Sequence, residues 1–251
     1  MEHLVSDHGI GPDTKLNPDG LAEAIFDLRF DHSDSPELVV AKIATMKDVA
    51  GWRVERLPSA DIPAPLRRSD PNLAFQTLLQ VTSPEGYMIR IGENIVSYHV
   101  LAPYPGWEKF RIPLIYTVNH ICDVIAGAKI NRLGIRYLNI LSDEEHKISG
   151  MPSTNVAMTI SGKQINDKLN INYRRDTEDH SILVRLATPE FVQGPKSNFN
   201  LMIDLDVFTP ENFSAFESNA VMDWAEKGHR YLKDEFFSLI RSDILANLVE
   251  T

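Results

Sequence analysis

The chain has 251 residues, of which 43% are hydrophobic and 24% charged. These proportions exclude collagen-like, disordered and coiled-coil architectures, and a chain this long buries roughly 70–75% of its unfolded surface. With 35 Asp and Glu against 25 Lys and Arg, the net charge is −10, a field that disfavours phosphate backbones and anionic lipid and suits solubility, a basic partner, or nothing in particular. Residues 1–20 are rich in Gly and Pro and read as an N-terminal arm. Ala22 to Phe30 alternates, with Ala24, Phe26, Leu28 and Phe30 on one face, which predicts a half-buried strand. Ser35-Pro36-Glu37 is a helix start with Ser35 as cap, and the helix runs to about Val49. Residues 57–72 hold four prolines and Arg67-Arg68, and read as a loop. Strands follow at Ala74–Ser83, Tyr87–Ile91 and Ile95–Leu101, joined by Gly-containing turns. A helix over 107–128 places Trp107, Phe110, Leu114, Val118 and Ile121 on one face, with Pro113 marking a first turn or a kink.

The second half repeats the order. A strand over Leu133–Leu141 follows a short turn at Lys129-Ile130-Asn131. Both its faces are largely apolar, which predicts a central strand. Strands follow near Val156–Ser161, Leu169–Arg174, Ser181–Ala187 and Phe199–Val207. A long helix, about Ser214 to Val249, closes the chain, with Ser214 and Glu217 as a capping box. The expected fold class is α+β: two antiparallel sheet-plus-helix halves, 21–130 and 131–251, in one compact unit of TATA-binding-protein-like or helix-grip type.

Cys122 is the one cysteine, so no intramolecular disulfide forms and a reducing, cytoplasmic setting is expected. No basic-then-apolar leader and no apolar run of ~20 residues is present, so neither a signal peptide nor a membrane span is expected.

Three segments carry a resemblance: Ala22-Glu23-Ala24-Ile25-Phe26-Asp27-Leu28-Arg29-Phe30, then Arg132-Leu133-Gly134-Ile135-Arg136-Tyr137-Leu138-Asn139-Ile140, then Leu205-Asp206-Val207-Phe208 with a following helix bearing Trp224, His229 and Phe236. In order and spacing they resemble a sporadically distributed bacterial family of about 250 residues without an established function. The pattern departs at Gly20-Leu21, where a proline-isoleucine pair is usual. The resemblance implies a sporadically inherited, mobile or defence-linked, bacterial gene, and no catalytic residue.

Arg136 lies on an otherwise apolar strand face. Such an arginine needs a carboxylate or an anionic ligand, with Asp27 or Asp204 the first choices; it is expected to be mostly buried, so that Arg136→Ala would cost roughly 3–5 kcal/mol. Asp204 and Asp206, two apart on one strand face, suit either the solvent side of an edge strand, an arginine pairing, or a cation or acid–base role. Arg67 and Arg68, like Arg174 and Arg175, read as solvated turns or a docking surface. Glu145-x-Lys147 lies on a polar turn, and His229 reads as a helix-surface histidine beside Asp223 and Glu226. Nucleotide-binding and hydrolase signatures such as GxxxxGK[ST] and GxSxG are absent. No catalytic residue, metal or cofactor is therefore assigned. The expected function is a non-enzymatic interaction or regulatory protein, an antitoxin-like or defence accessory with a protein partner. One alternative is a small-ligand or nucleotide-binding enzyme using Arg136, Asp204 and Asp206. The other, a nucleic-acid binder, is disfavoured by the charge.

Overall fold

The computed structural model describes residues 14–45, 51–165, 168–192, 198–210, 213 and 218–250. In chain order the elements are β1 (Lys15–Leu16), β2 (Leu21–Asp31), α1 (Pro36–Ala44), β3 (Arg53–Arg56), α2 (Ala64–Ser69), β4 (Thr77–Thr82), β5 (Met88–Gly92), β6 (Ile95–Leu101) and α3 (Trp107–Val124). Then come β7 (Lys129–Leu141), α4 (Asp143–His146), β8 (Met158–Ile160), β9 (Lys163–Ile165), β10 (Asn170–Asp176), β11 (Ser181–Ala187), β12 (Leu201–Phe208), α5 (Ser218–Leu239), α6 (Ser242–Leu245) and β13 (Val249–Glu250).

Nine strands form one antiparallel sheet in the order β10-β11-β12-β7-β2-β6-β5-β4-β3. The leading strands β2 and β7 therefore lie side by side at its centre. Each is flanked by the last strand of its own segment, β6 and β12, and the remaining strands run outward. The α+β class holds, with β7 a central strand as its two apolar faces predict.

One face of this sheet is the core. Phe26, Leu28 and Phe30 of β2, Leu133 and Ile135 of β7, and Ile203, Leu205 and Val207 of β12 are fully or almost fully buried. Phe110, Leu114, Val118 and Ile121 of α3 and Val221, Ala225 and Leu232 of α5 pack into the same cluster. The periodicity that predicts α3 is the face that it buries. Pro113 sits inside the helix without ending it, and the carbonyl to which it cannot donate belongs to the exposed Lys109. Ser35 caps α1 by accepting from the Leu38 N–H at 3.3 Å, as its position before Pro36 predicts.

Several boundaries differ from the sequence reading. The arm is not wholly free chain, since β1 pairs with β13. The proline-rich segment 57–72 folds into a 3-10 turn, Pro58–Asp61, and α2. Pro58 and Pro65 sit in the first turns, where a missing N–H costs nothing, Pro63 is the N-cap of α2, and Pro71 follows its C-cap Asp70. β3 has four exposed residues and no alternation to read, because it is the sheet edge. Likewise β9 is only three residues long and partly exposed. β7 begins at Lys129, so the expected turn at 129–131 is strand. The reversal lies at 125–128, where Gly127 takes φ +66°. The closing helix ends at Leu239, and Ile240 then bridges to Thr154. Its expected cap at Ser214 and Glu217 lies outside the described residues, while α1 ends at Ala44, with Thr45 as its C-cap, rather than near Val49.

Candidate functional site on the open sheet face

Pleating sends alternate residues to the face opposite the core. On β2 these are Glu23, Ile25, Asp27 and Arg29. The registers pair Asp27 with Gly134 and Ser97, Ile25 with Arg136 and His99, and Asp206 with Arg136. The open face of the four central strands thus carries a dense set of charged groups.

They form a connected network. Arg136 grips Asp204 with two hydrogen bonds, Nε to Oδ1 at 2.7 Å and Nη2 to Oδ2 at 2.6 Å. Arg132 Nη1 donates to Asp27 at 2.6 Å, and its Nη2 lies 3.6 Å from Asp206. Gly134 makes room for this, since a Cβ there would sit 2.5 Å from Asp27 Oδ1. The Arg132 and Arg174 guanidinia lie 4.9 and 5.2 Å over the Phe208 ring, and Arg29 lies 4.2 Å over Phe75, contacts that hold the cations in place.

The pairing of Arg136 with Asp204 is as expected, but its burial is not. The Arg136 side chain is 45% exposed, while that of Asp204 is 8% exposed. The apolar neighbours Leu138 and Ile140 share the open face and are themselves only partly buried, so an apolar face was not here a core face. Asp204 and Asp206 do not lie on an edge strand either, because β12 is interior. The Asp204 hydrogen bonds hold the Arg136 guanidinium above its ordinary value. Burial pushes Asp206 up to about 6, against the pull of Arg132, and its Oδ1 has no hydrogen-bond partner among the described residues.

These numbers reset the cost of losing Arg136. A half-exposed guanidinium is not the mostly buried charge expected, and solvent screens its pairing. Arg136→Ala is therefore expected to cost about 1–3 kcal/mol, the range for orphaning one buried hydrogen-bonded partner, in urea unfolding near neutral pH.

The other sites resolve separately. Arg67 is buried rather than solvated. It donates to Glu93 Oε1 at 2.6 Å and to the Ile62 carbonyl. Arg68 reaches Glu93 Oε2 at 3.1 Å and Glu37 at 3.2 Å. Burial raises the Glu93 carboxyl, but the two arginines outweigh it and hold it below its usual value. Arg174 and Arg175 project to opposite faces, one to Asp176 and Ser181, the other to Glu235 on α5. These four arginines thus build no continuous basic track. Glu145 and Lys147 lie exposed on and just past α4. Cys122 is partly buried beside the core, which raises its thiol.

His229 is not a surface residue. Its ring stacks on Trp107 at 4.3 Å and 3°, and Nδ1 lies 2.9 Å from Tyr137 Oη, itself 3.1 Å from Tyr104 Oη. Burial pushes its imidazole down to about 3, with Lys233 and Arg230 adding to the effect. Glu226 turns to Trp107 Nε1 and Arg111, at 2.8 and 3.0 Å, whereas Asp223 is exposed, so the three do not line one groove.

A further group escaped the sequence reading. Ser97 Oγ lies 2.8 Å from His99 Nε2, and His99 Nδ1 lies 2.8 Å from Glu23 Oε1. Ser97 and His99 are two apart on β6 and so share a face, a signal that the sequence holds. Glu23 is far away in the chain and joins them only through the β2–β6 pairing.

Two surface hollows of about 440 and 380 Å³ lie elsewhere, one lined by Met151, Asn155, Gln164 and Arg241, the other by Trp52, Arg53 and Pro84. Among the described residues no three His, Cys, Asp or Glu side chains are arranged to hold a metal ion, and no helix is long and apolar enough to cross a membrane. No protein-family model matches the sequence, and no curated protein matches it.

Proposed function

We propose that the protein is an interaction or regulatory module that docks a basic segment of a protein partner on the open face of its sheet. We read the sheet as two halves of TATA-binding-protein-like type, 21–130 and 131–251, joined at β2 and β7. The strand order supports this, with both leading strands central and both meanders running outward.

The observation that carries the reading is Asp206. Around it the carboxylates are matched by guanidinia at hydrogen-bonding distance. Among the described residues Asp206 has the 3.6 Å contact to Arg132 through Oδ2; its Oδ1 is buried without a donor, and the side chain as a whole is 22% exposed, so a partner's cation meets it on its exposed side rather than at Oδ1. A lysine or arginine of the partner supplies the missing charge, and the net charge of −10 steers such a segment to the protein. The partly buried Ile25, Leu138 and Ile140 supply apolar contact beside it.

The test is affinity capture from the native host with tagged protein. The expected result is a stoichiometric partner that is released as salt rises, lost with Asp206→Asn combined with Asp27→Asn, and retained with Asp223→Asn on α5. Capture that is indifferent to the double variant, or no stoichiometric partner at all, overturns the reading.

A further inference from the structure

The Ser97–His99–Glu23 chain has the connectivity of a nucleophile, its base and an orienting carboxylate. The direction of its hydrogen bonds follows from the chemistry. The His99 hydrogen bond, more than any other influence, holds the Glu23 carboxyl below its usual value, so Glu23 is an acceptor. His99 Nδ1 then carries a proton, and in the tautomer that leaves Nε2 bare that nitrogen accepts from Ser97 Oγ–H. The three residues sit on two paired strands, a rigid platform for such a geometry. Arg90 faces Ser97 directly across the β5–β6 register, and its Nε is held by Gln80 at 2.9 Å. The register puts the Arg90 side chain on the same face of the sheet as Ser97.

We propose that Ser97 is a nucleophile activated by His99 and Glu23, and that the open sheet face carries a second activity, hydrolysis of a small carboxylic ester. In the first step Ser97 Oγ bonds to the ester carbonyl carbon while its proton passes to His99 Nε2. The alkoxide leaves with that proton as the alcohol. Water then attacks the acyl carbon while His99 Nε2 takes its proton; the bond to Oγ breaks, the proton returns from His99 to Ser97 Oγ, and the acid leaves. Ser97 and His99 are 6% and 5% exposed, which limits the substrate to slim acyl groups. This inference does not depend on the partner surface, since it needs no partner.

The experiment is labelling of the purified full-length chain with a fluorophosphonate, followed by peptide mass spectrometry, alongside hydrolysis of 4-nitrophenyl acetate. The expected result is one adduct, on Ser97. Ester turnover is lost in Ser97→Ala, and labelling slows by at least about 100-fold in His99→Gln, the usual scale for a removed general base. The site of the adduct on the unaltered protein needs no variant to fold. Absence of an adduct on Ser97, or labelling as fast in His99→Gln as in the parent, overturns the proposal and leaves the chain as a structural hydrogen-bond ladder.

Discussion

Phe110→Ala is expected to lower the unfolding free energy by about 3–5 kcal/mol, the cost of a large-to-small change in a tight core. Phe110 is fully buried. Its ring lies 5.5 Å from Tyr98, 5.8 Å from Tyr104 and 6.0 Å from Trp107, so it joins α3 to the sheet and to the loop before the helix. Neighbours on two elements cannot collapse into the space without moving the helix, which places the cost toward the upper end. For a chain of this size the midpoint of thermal unfolding should fall by on the order of 10 °C. Leu114→Ala, one turn along the same buried face, should behave alike, whereas Tyr116→Ala on the exposed face should fall within about 0.5 kcal/mol of the parent. Equal losses at positions 110 and 116 would contradict the packing of α3 described above.

The second large effect is a pH dependence. The folded protein holds the His229 imidazole at about 3, against an ordinary value near 6.5 in the unfolded chain. Below about 6.5 the unfolded chain binds a proton that the folded chain refuses, so the stability linked to this group falls as pH drops toward 3. Between neutrality and about pH 5 that loss is about 2 kcal/mol, since each pKa unit carries about 1.4 kcal/mol. His229→Gln keeps a polar group beside Tyr137 and removes the titration. Its stability relative to the parent should therefore improve by about 2 kcal/mol on going from pH 7 to about pH 5. Asp206 works in the opposite sense. Its carboxyl is raised to about 6, so the stability it costs above that value is regained as pH falls toward 4. The parent protein alone therefore shows a muted slope, and the difference between parent and variant is the quantity to read. A His229→Gln difference that does not change with pH would show that the imidazole titrates normally.

How far the sequence led can be argued from β7. Its two apolar faces gave its central place, and the alternation of β2 gave its buried face. Neither told which face of β7 is the core. Gly134, Arg136, Leu138 and Ile140 look nearly as apolar as their neighbours, yet the helices pack on Leu133, Ile135 and Tyr137. For that reason the Arg136–Asp204 pair was legible and the exposure of Arg136 was not. The His229 cluster was hidden differently. Trp107, Tyr104, Tyr137 and His229 come from three distant segments, and only the packing of α3 and α5 on the sheet brings them together. Glu23 likewise reaches His99 through a strand pairing that spans 76 residues of chain. Local pattern reports neighbours three, four or two residues away. The charged network on the open face is built from registers, which local pattern does not hold.

The open sheet face as the partner surface is tested most directly by site-specific photocross-linking. A benzophenone side chain would be placed at Leu138, which projects from the centre of that face, and separately at Tyr116, 56% exposed on α3. Illumination in the native host, with salt wash and mass spectrometry of the adducts, reads out which surface the partner touches. The account predicts one dominant protein adduct from position 138, mapping to a lysine- or arginine-rich segment, and none from position 116. The same adduct from position 116 with none from position 138 would place the partner on the helical layer and contradict it.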